Sequence, residues 1–448
     1  MGGGLLQLVA YGAQDAYITG NPHITFWKVL YKRHTNFAME AMRVNFTGAP
    51  AYGQRLVAVV NRNADLIWKT YVEVVLPDTE LGSATDVNWT SGAQRRLGYL
   101  LLKQVEVEIG GQIIDRHYGE WLYLWETLTA DFDTALKLDT MIGGQHSGVA
   151  TGAIACQGRP NVLYVPLQFW FNRNPGLALP LIALQYHEVR FNIILEEAIN
   201  LVNGTATSAG TISSQAARLP GLTDMALYID YIYLDVDERR RFAQESHEYL
   251  IDQLQFEGQQ QITTSSARLD LTLNHPVKEL IWVFQDSRKT DCGSTVSVQL
   301  GYTQPFTYDD IINRARLQLN GQDRFDERYG DYFWKVQPYQ HHTGGGFSRA
   351  IVDTVSTSAA DPVVSRTAPN PINVYSFAIQ PEEHQPSGTC NFSRIDSATL
   401  VFDSRKPASG ADDGTYPSKT YPYNFRLYAV NYNIFRIMSG MGGLAYSN

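Results

Sequence analysis

The chain has 448 residues, with 36 Lys and Arg against 45 Asp and Glu and a formal net charge of −9. That balance gives no general attraction to polyphosphate, so neither wholesale packaging of nucleic acid nor direct genome binding is expected, which leaves room only for a local basic patch. Charged residues make up 18% and aromatics 12%, with 26 Tyr and 36 Gly. This favours aromatic-lined β-sheets with many turns over helical bundles, in a length sufficient for two or three domains.

Residues 1 to about 25 read as an arm: glycines, then Leu5, Leu6, Leu8 and Val9, then polar turn signals as far as Asn21-Pro22. They carry too little apolar material to fold alone. The start lacks a basic stretch and a long apolar core, so Sec export is not expected, and Leu6 stands where a myristoylation signal needs Ser or Thr. No apolar run reaches the length that crosses a bilayer. Lys28, Lys32, Arg33 and His34, interleaved with Phe26, Trp27 and Tyr31, would suit an acidic surface or lipid headgroups, and equally a solvated domain edge.

Strand patterns follow: Met42, Val44 and Phe46 alternate with Arg43, Asn45 and Thr47, and a second pattern covers Trp68 to Leu76. The clearest lies at Val105, Val107 and Ile109, which alternate with Gln104, Glu106 and Glu108 and place apolar groups on one face and carboxylates on the other. Gly110-Gly111 then supplies the positive φ angles of a type I′ hairpin turn. A mainly apolar run from Tyr164 to Phe171 is interrupted by Asn174-Pro175-Gly176 and Pro180 and resumes at Phe191. Leu227 to Leu234 closes this half. Asp235 to Leu250 breaks the pattern and reads as a short charged helix with Asp235 near its N-cap.

The second half repeats the first. The segment from Val105 to Trp121 returns as Ala315 to Tyr332, with Asn320-Gly321 in place of Gly110-Gly111. Phe46 and Gly48 match Phe256 and Gly258, Leu66-Ile67-Trp68 matches Leu280-Ile281-Trp282, and Tyr118-Gly119 matches Tyr329-Gly330. All fall in collinear order at nearly one offset, which predicts two tandem β domains of one type. The second ends in a strand whose Tyr428, Val430, Tyr432 and Ile434 share a face. Small-residue stretches at Gly143 to Gly158, Asn203 to Ala217, Thr343 to Ser365 and Ser404 to Lys419 read as long loops. Short strands with such loops point to sandwiches, and a Greek-key jelly roll covers its edges better than an open sheet.

Enzyme signatures are weak. His187-Glu188 and His247-Glu248 lack the second His of a zinc protease, and His341-His342 has no acidic or cysteine partner nearby in sequence, so turn or surface histidines are expected. Asp235, Asp237 and Glu238 precede Arg239-Arg240-Arg241, which fits a self-paired helix better than a calcium loop. Cys156, Cys292 and Cys390 are too far apart for a spaced metal site and suit a reducing compartment. No catalytic residue, metal ligand or cofactor is assigned. Four glycosylation sequons occur, at Asn45, Asn88, Asn203 and Asn391, of which Asn203 is the best placed and Asn45 and Asn391 sit in strand-like sequence with poor expected access.

Long blocks carry a family resemblance: LVAYGAQDAYITGNPHITFWKVLYKRHTNFAME at the start, NPGLALPLIALQYHEV and HEYLIDQLQF centrally, and LNGQDRF, PSGTCNFSRID and NYNIFRIMSGMGGLAYSN towards the end. They resemble the major capsid proteins of nucleocytoplasmic large DNA viruses, especially those of algae and amoebae. The resemblance implies an all-β chain of two tandem eight-stranded jelly-roll sandwiches, with a short arm and a few short helices. It places the arm at 1–25, the first jelly roll at 26–234, a connecting helical segment at 235–247 and the second jelly roll at 248–448. It further implies a non-enzymatic homotrimer that forms a pseudo-hexameric capsomer in an icosahedral virion, assembled in the host cytoplasm. Expected partners are neighbouring capsomers, minor capsid and penton proteins, an inner membrane reached by the arm, and surface glycans. The alternatives are a minor or vertex component of such a particle, or a carbohydrate-binding jelly roll.

Overall fold

A computed structural model describes residues 3–10, 12–19, 31, 34–76, 96–143, 161–201, 221–287, 306, 308–344, 370–405 and 422–446. The four long stretches read as loops lie almost wholly outside the described residues, as do Phe26, Trp27, Lys28, Lys32, Arg33, Asn88, Asn203, Cys156 and Cys292. The chain separates into two compact units, Met1–Phe37 and Ala38–Asn448. The first holds two seven-residue helices, α1 (Gly3–Val9) and α2 (Ala13–Thr19). Among the described residues no helix is long and apolar enough to cross a membrane.

In the second unit, eight principal strands among the described residues make the first half: β1 (Phe37–Asn45), β2 (Arg55–Val59), β3 (Leu66–Leu76), β4 (Leu102–Ile109), β5 (Gln112–Tyr118), β6 (Asn161–Pro166), β8 (Val189–Leu195) and β9 (Asp224–Leu234), with the two-residue β7 (Leu179–Pro180) beside β3. They form two sheets, β1-β9-β3-β6 and β2-β8-β4-β5. The second half repeats this with β10 (His247–Ile262), β11 (Ser266–Leu271), β12 (Pro276–Asp286), β13 (Ile312–Leu319), β14 (Gln322–Asp323), β15 (Arg328–Tyr329), β16 (Asn373–Ser376), β17 (Cys390–Asn391), β18 (Ala398–Ser404), β19 (Tyr423–Met438) and β20 (Met441–Leu444). Its sheets run β10-β19-β12-β16 and β11-β18-β13-β14, so in each half the first strand (β1, β10) pairs with a long late strand (β9, β19), which in turn pairs with the third (β3, β12). Two such four-stranded sheets face to face make a jelly roll.

Local chemistry explains the elements. Val105, Val107 and Ile109 are fully buried, as the alternation predicts. Glu106 on the opposite face is also covered, by Arg116 at 2.8 Å and Gln104 at 2.7 Å. Gly110 and Gly111 have φ of 60° and 86°, and Asn320 and Gly321 have 50° and 78°, the left-handed pair a type I′ turn requires. The matched Gly48 and Gly258 likewise adopt 96° and 88°. The connecting helix spans Val236–Gln244 with Asp235 capping it, 2.7 Å from the Val236 N–H. Its arginines are only partly self-paired: Arg241 meets Glu245, whereas Arg239 reaches back to Asp65 in the first half at 2.9 and 3.0 Å.

The apolar run from Tyr164 to Phe171 splits. It ends β6 and then opens the short α6 (Trp170–Arg173), reached after α3 (Leu97–Leu101), α4 (Gly119–Thr129) and α5 (Phe132–Met141). Of these, α4 matters most. Every side chain from Trp121 to Glu126 is buried, and a single apolar cluster runs from the interior of the first sandwich through α4 to Ile281, Val283, Tyr428 and Val430. A separate cluster, with Leu280, Trp282, Phe284, Leu427 and Ala429, fills the second sandwich. Alternate residues of β12 and β19 thus serve different cores, and the sheet is buried on both faces, unusual for an antiparallel sheet.

Candidate functional site: the junction between the two halves

The most elaborate chemistry lies where α4 meets the outer face of β10-β19-β12-β16. Gly119 begins α4, and a Cβ there would stand 2.0 Å from the Tyr99 carbonyl oxygen and 2.5 Å from that of Leu102. Only glycine lets the helix start so close to the backbone of α3 and β4. That approach aims Glu120 at the second half. Arg426 donates to it through Nε and Nη2, each at 2.6 Å, Tyr428 donates at 2.6 Å and Tyr308 at 3.1 Å. Arg426 also reaches Gln285 at 2.7 Å and Gln259 at 3.1 Å. Burial alone would lower the Arg426 pKa, but the Glu120 carboxylate against it raises it, so the guanidinium stays charged. Burial, reinforced by Glu120, pushes the Tyr308 and Tyr428 hydroxyls up, which keeps them neutral donors.

Aromatic contacts continue the seam. Tyr123 stacks on Phe306 at 4.7 Å and its hydroxyl accepts from Asn370 at 2.9 Å. Trp121 lies 5.7 Å from Tyr428. The Arg173 guanidinium sits 4.1 Å over the Trp125 ring and 3.5 Å from Asp252 of the second half, whose carboxylate also holds the fully buried Lys278 at 2.9 Å. At one margin Asp115 accepts from the Leu254 N–H and contacts His117 at 3.0 Å. At another, the Tyr186 N–H donates to the Gly440 carbonyl in the β19–β20 turn and His187 bonds Gly442 in β20.

The histidines depart from expectation. His342 is not a surface residue: its side chain is fully buried, 3.1 Å from Glu279 and 3.0 Å from Glu382. Burial would lower its pKa, but the two carboxylates raise it from 6.5 to about 9. Because the folded value exceeds the unfolded one, the stabilisation is fully present below pH 6.5 and is lost as pH rises through about 9. We expect the urea midpoint to fall between pH 6 and pH 9 by the equivalent of roughly 3 kcal/mol. His342→Gln should flatten that slope, and an unchanged slope would reject the assignment.

The expected glycosylation residues are not drawn together. Asn45 ends β1 and Asn391 ends β17, and both are exposed, contrary to the poor access their strand-like sequence implied. The Asn391 side chain accepts from Ser393 of its own sequon at 3.1 Å. Among the described residues no cluster of His, Cys, Asp or Glu has a metal-binding arrangement. Glu120, Arg426, Tyr308 and His342 were not singled out as site residues in the sequence. The matched Tyr118-Gly119 and Tyr329-Gly330 were the one signal that pointed at the start of α4.

Comparison with known proteins agrees with this architecture. Residues 25–235 match the family model described as major capsid protein N-terminus, and 238–347 and 356–443 match that of the large eukaryotic DNA virus major capsid protein. The chain is 46% identical over 452 residues to the major capsid protein of Pyramimonas orientalis virus and 40% identical over 483 residues to that of Paramecium bursaria Chlorella virus 1, covering all of each. Its structure resembles a chain of the quasi-atomic model of the PBCV-1 virus capsid, with a TM-score of 0.74 and 36% identity over 95% of this chain and 100% of that one. The Faustovirus major capsid protein, at 13% identity and a TM-score of 0.66, shares the fold. With two jelly rolls fused through a buried polar and aromatic seam, and a structural rather than enzymatic role, the chain belongs to the major capsid proteins of large eukaryotic DNA viruses.

Proposed function

We propose that three copies of the chain form a pseudo-hexagonal capsomer that tiles the icosahedral shell of a large double-stranded DNA virus. The observation that carries this reading is the like strand order of the two halves, joined through a wide junction. Two alike halves per chain give a trimer six alike edges, which suits a six-fold lattice position. Modest edge contacts, repeated over a closed shell, then become collectively strong.

The family-model boundaries at 235 and 238 support a division into a first jelly roll at 26–234, a connecting segment at 235–247 and a second jelly roll at 248–448. The arm at 1–25 lies at the capsomer base, towards an inner membrane or minor capsid proteins. Leu5, Leu6, Leu8, Val9 and Ile18, exposed on α1 and α2, support that role. Penton proteins and neighbouring capsomers are the other partners, and assembly takes place in the host cytoplasm. The sequons at Asn45, Asn88, Asn203 and Asn391 are the positions to follow by peptide mapping of purified particles for surface glycans.

Light scattering on a sizing column tests the capsomer. One chain is 50.3 kDa, and we expect a species of about three times that mass that persists on dilution, as obligate interfaces larger than about 2,000 Å² do. A monomer at every concentration would reject self-assembly of the chain alone.

A further inference from the structure

We propose that the cleft between β5 and β10 is a binding site for a short neutral glycan, held without a covalent bond. This goes beyond the trimer reading and does not depend on it.

The cleft arises where two sheets end. β5 is the edge strand of β2-β8-β4-β5 and β10 is the edge strand of β10-β19-β12-β16, so each half offers an edge to the other. They meet through side chains: the Gln253 amide donates to the Ile114 carbonyl, and the Leu254 N–H donates to Asp115 at 3.1 Å. Beside these bonds lies a cavity of about 390 Å³, walled by both strands and by Thr272–Asn274, which follow β11. β10 is bulged at this point, since its register on β19 shifts between Phe256 and Gln259, where Gly258 has φ of 88°. A bulge re-aims the side chains around it and is a common neighbour of functional sites. A second cavity of about 420 Å³, reaching Tyr99 and Lys103, shares two walls with the first. These are the half-buried Tyr118 and Phe256, whose rings lie 4.8 Å apart. The cleft therefore has two lobes that meet at an aromatic pair, each lobe within the size range of a small-molecule site.

Its chemistry selects the ligand. The cations that line it are paired within the chain: Arg116 with Glu106 at 2.8 Å, Lys103 with Glu196 at 3.9 Å and Arg426 with Glu120 at 2.6 Å. An anionic ligand would have to break one of these pairs. The Leu254 N–H and the Ile114 carbonyl, which a peptide strand would need, are already taken, and this opposes strand addition. Other groups keep capacity among the described residues. The Thr272 N–H and hydroxyl both donate to Oε1 of Glu257, leaving its Oε2 without a donor. Asn274 bonds Gln255 through its backbone alone, so its exposed side-chain amide is unused. Gln259 accepts from Arg426 through Oε1 and keeps its amide nitrogen. Burial pushes the Glu257 carboxyl up, so the lobe is a poor place for a charge and a good one for a hydroxyl donor. An amide donates and accepts at once, which matches adjacent hydroxyls, and the apolar edge of a sugar ring packs against aromatic faces. With many copies on one particle, weak single sites would hold a glycan-coated surface collectively.

The test titrates the full chain with a panel of neutral trisaccharides built from glucose, galactose, mannose and N-acetylglucosamine, read by saturation-transfer NMR and calorimetry. Asn274→Trp fills the first lobe from an exposed position, and Ser266→Trp, exposed on β11 outside the cleft, is the control. Thermal melting establishes that each variant is folded. We expect at least one trisaccharide to bind wild type and control with a dissociation constant of about 1 mM, and Asn274→Trp to weaken it at least about tenfold. Should Asn274→Trp fail to fold, Asn274→Ala with Glu257→Gln removes the same hydrogen bonds without adding bulk, and the same weakening is expected. Absence of binding across the panel would overturn the proposal, and so would binding that the folded cleft variant leaves unchanged. Spermidine and an uncharged extended hexapeptide are run alongside, and if either bound in the cleft where the trisaccharides did not, the assignment to a neutral glycan would be wrong.

Discussion

Arg426→Met is expected to lower folding stability by about 3–5 kcal/mol, the cost of leaving a buried charge without its partner. Glu120 would keep the Tyr428 and Tyr308 hydroxyls but lose both guanidinium bonds. Its negative charge would then sit among aromatic groups with no cation in contact. Replacing both partners, Glu120→Leu with Arg426→Met, removes the stranded charge and should recover most of the loss. Urea titration followed by tryptophan fluorescence reads the effect, since Trp121 lies against Tyr428. A loss below about 1 kcal/mol in the single variant would mean that the pair is solvated and does not hold the halves together.

Gly119→Ala is expected to be at least as damaging, although it adds only one methyl group. That carbon would stand 2.0 and 2.5 Å from two backbone oxygens, neither of which can rotate away as a side chain does. Either α4 lifts from the sheet or the β4–β5 hairpin shifts, so we expect a loss above roughly 3 kcal/mol and little folded protein in cells. Gly330→Ala should act in the same way against Ile312 in the second half. Gly111→Ala is the contrast: its φ is 86° but nothing lies within 4 Å, so only backbone strain remains, about 1 kcal/mol. If Gly119→Ala melted within a few degrees of Gly111→Ala, the close approach of α4 would be refuted.

The parts legible in the sequence are those set by local chemistry. Alternation at Val105, Val107 and Ile109 places a strand without reference to anything distant, and Gly110-Gly111 and Asn320-Gly321 give the turns because positive φ is a property of two residues. The connecting helix is equally local, with Asp235 at its cap. The duplication was legible through the same turn signals repeated in order. What escaped was α4. Its sequence, GEWLYLWETLT, is apolar nearly all round because it is covered on both sides, so it lacks the one-sided period that marks an amphipathic helix. Pairings across the junction escaped for another reason: Glu120 and Arg426 lie 306 positions apart, and nothing near either names its partner. His342 was misjudged likewise, since its carboxylates come from β12 and from the segment after β16 and not from its sequence neighbours.

The sharing of α4 between the two halves has a consequence during synthesis. When the ribosome has finished the first jelly roll, Trp121, Tyr123 and Trp125 are complete, but the strands that cover them are not yet made. At roughly 5–20 residues per second, the remaining two hundred or so take about 10–40 seconds to emerge. For that interval each nascent chain presents an aromatic ridge shaped to fit a jelly-roll sheet, and in a cell making many copies at once the nearest such sheet can belong to another chain. Translation speed and crowding on the polysome therefore bear on the yield of correctly paired halves, before any shell begins to form.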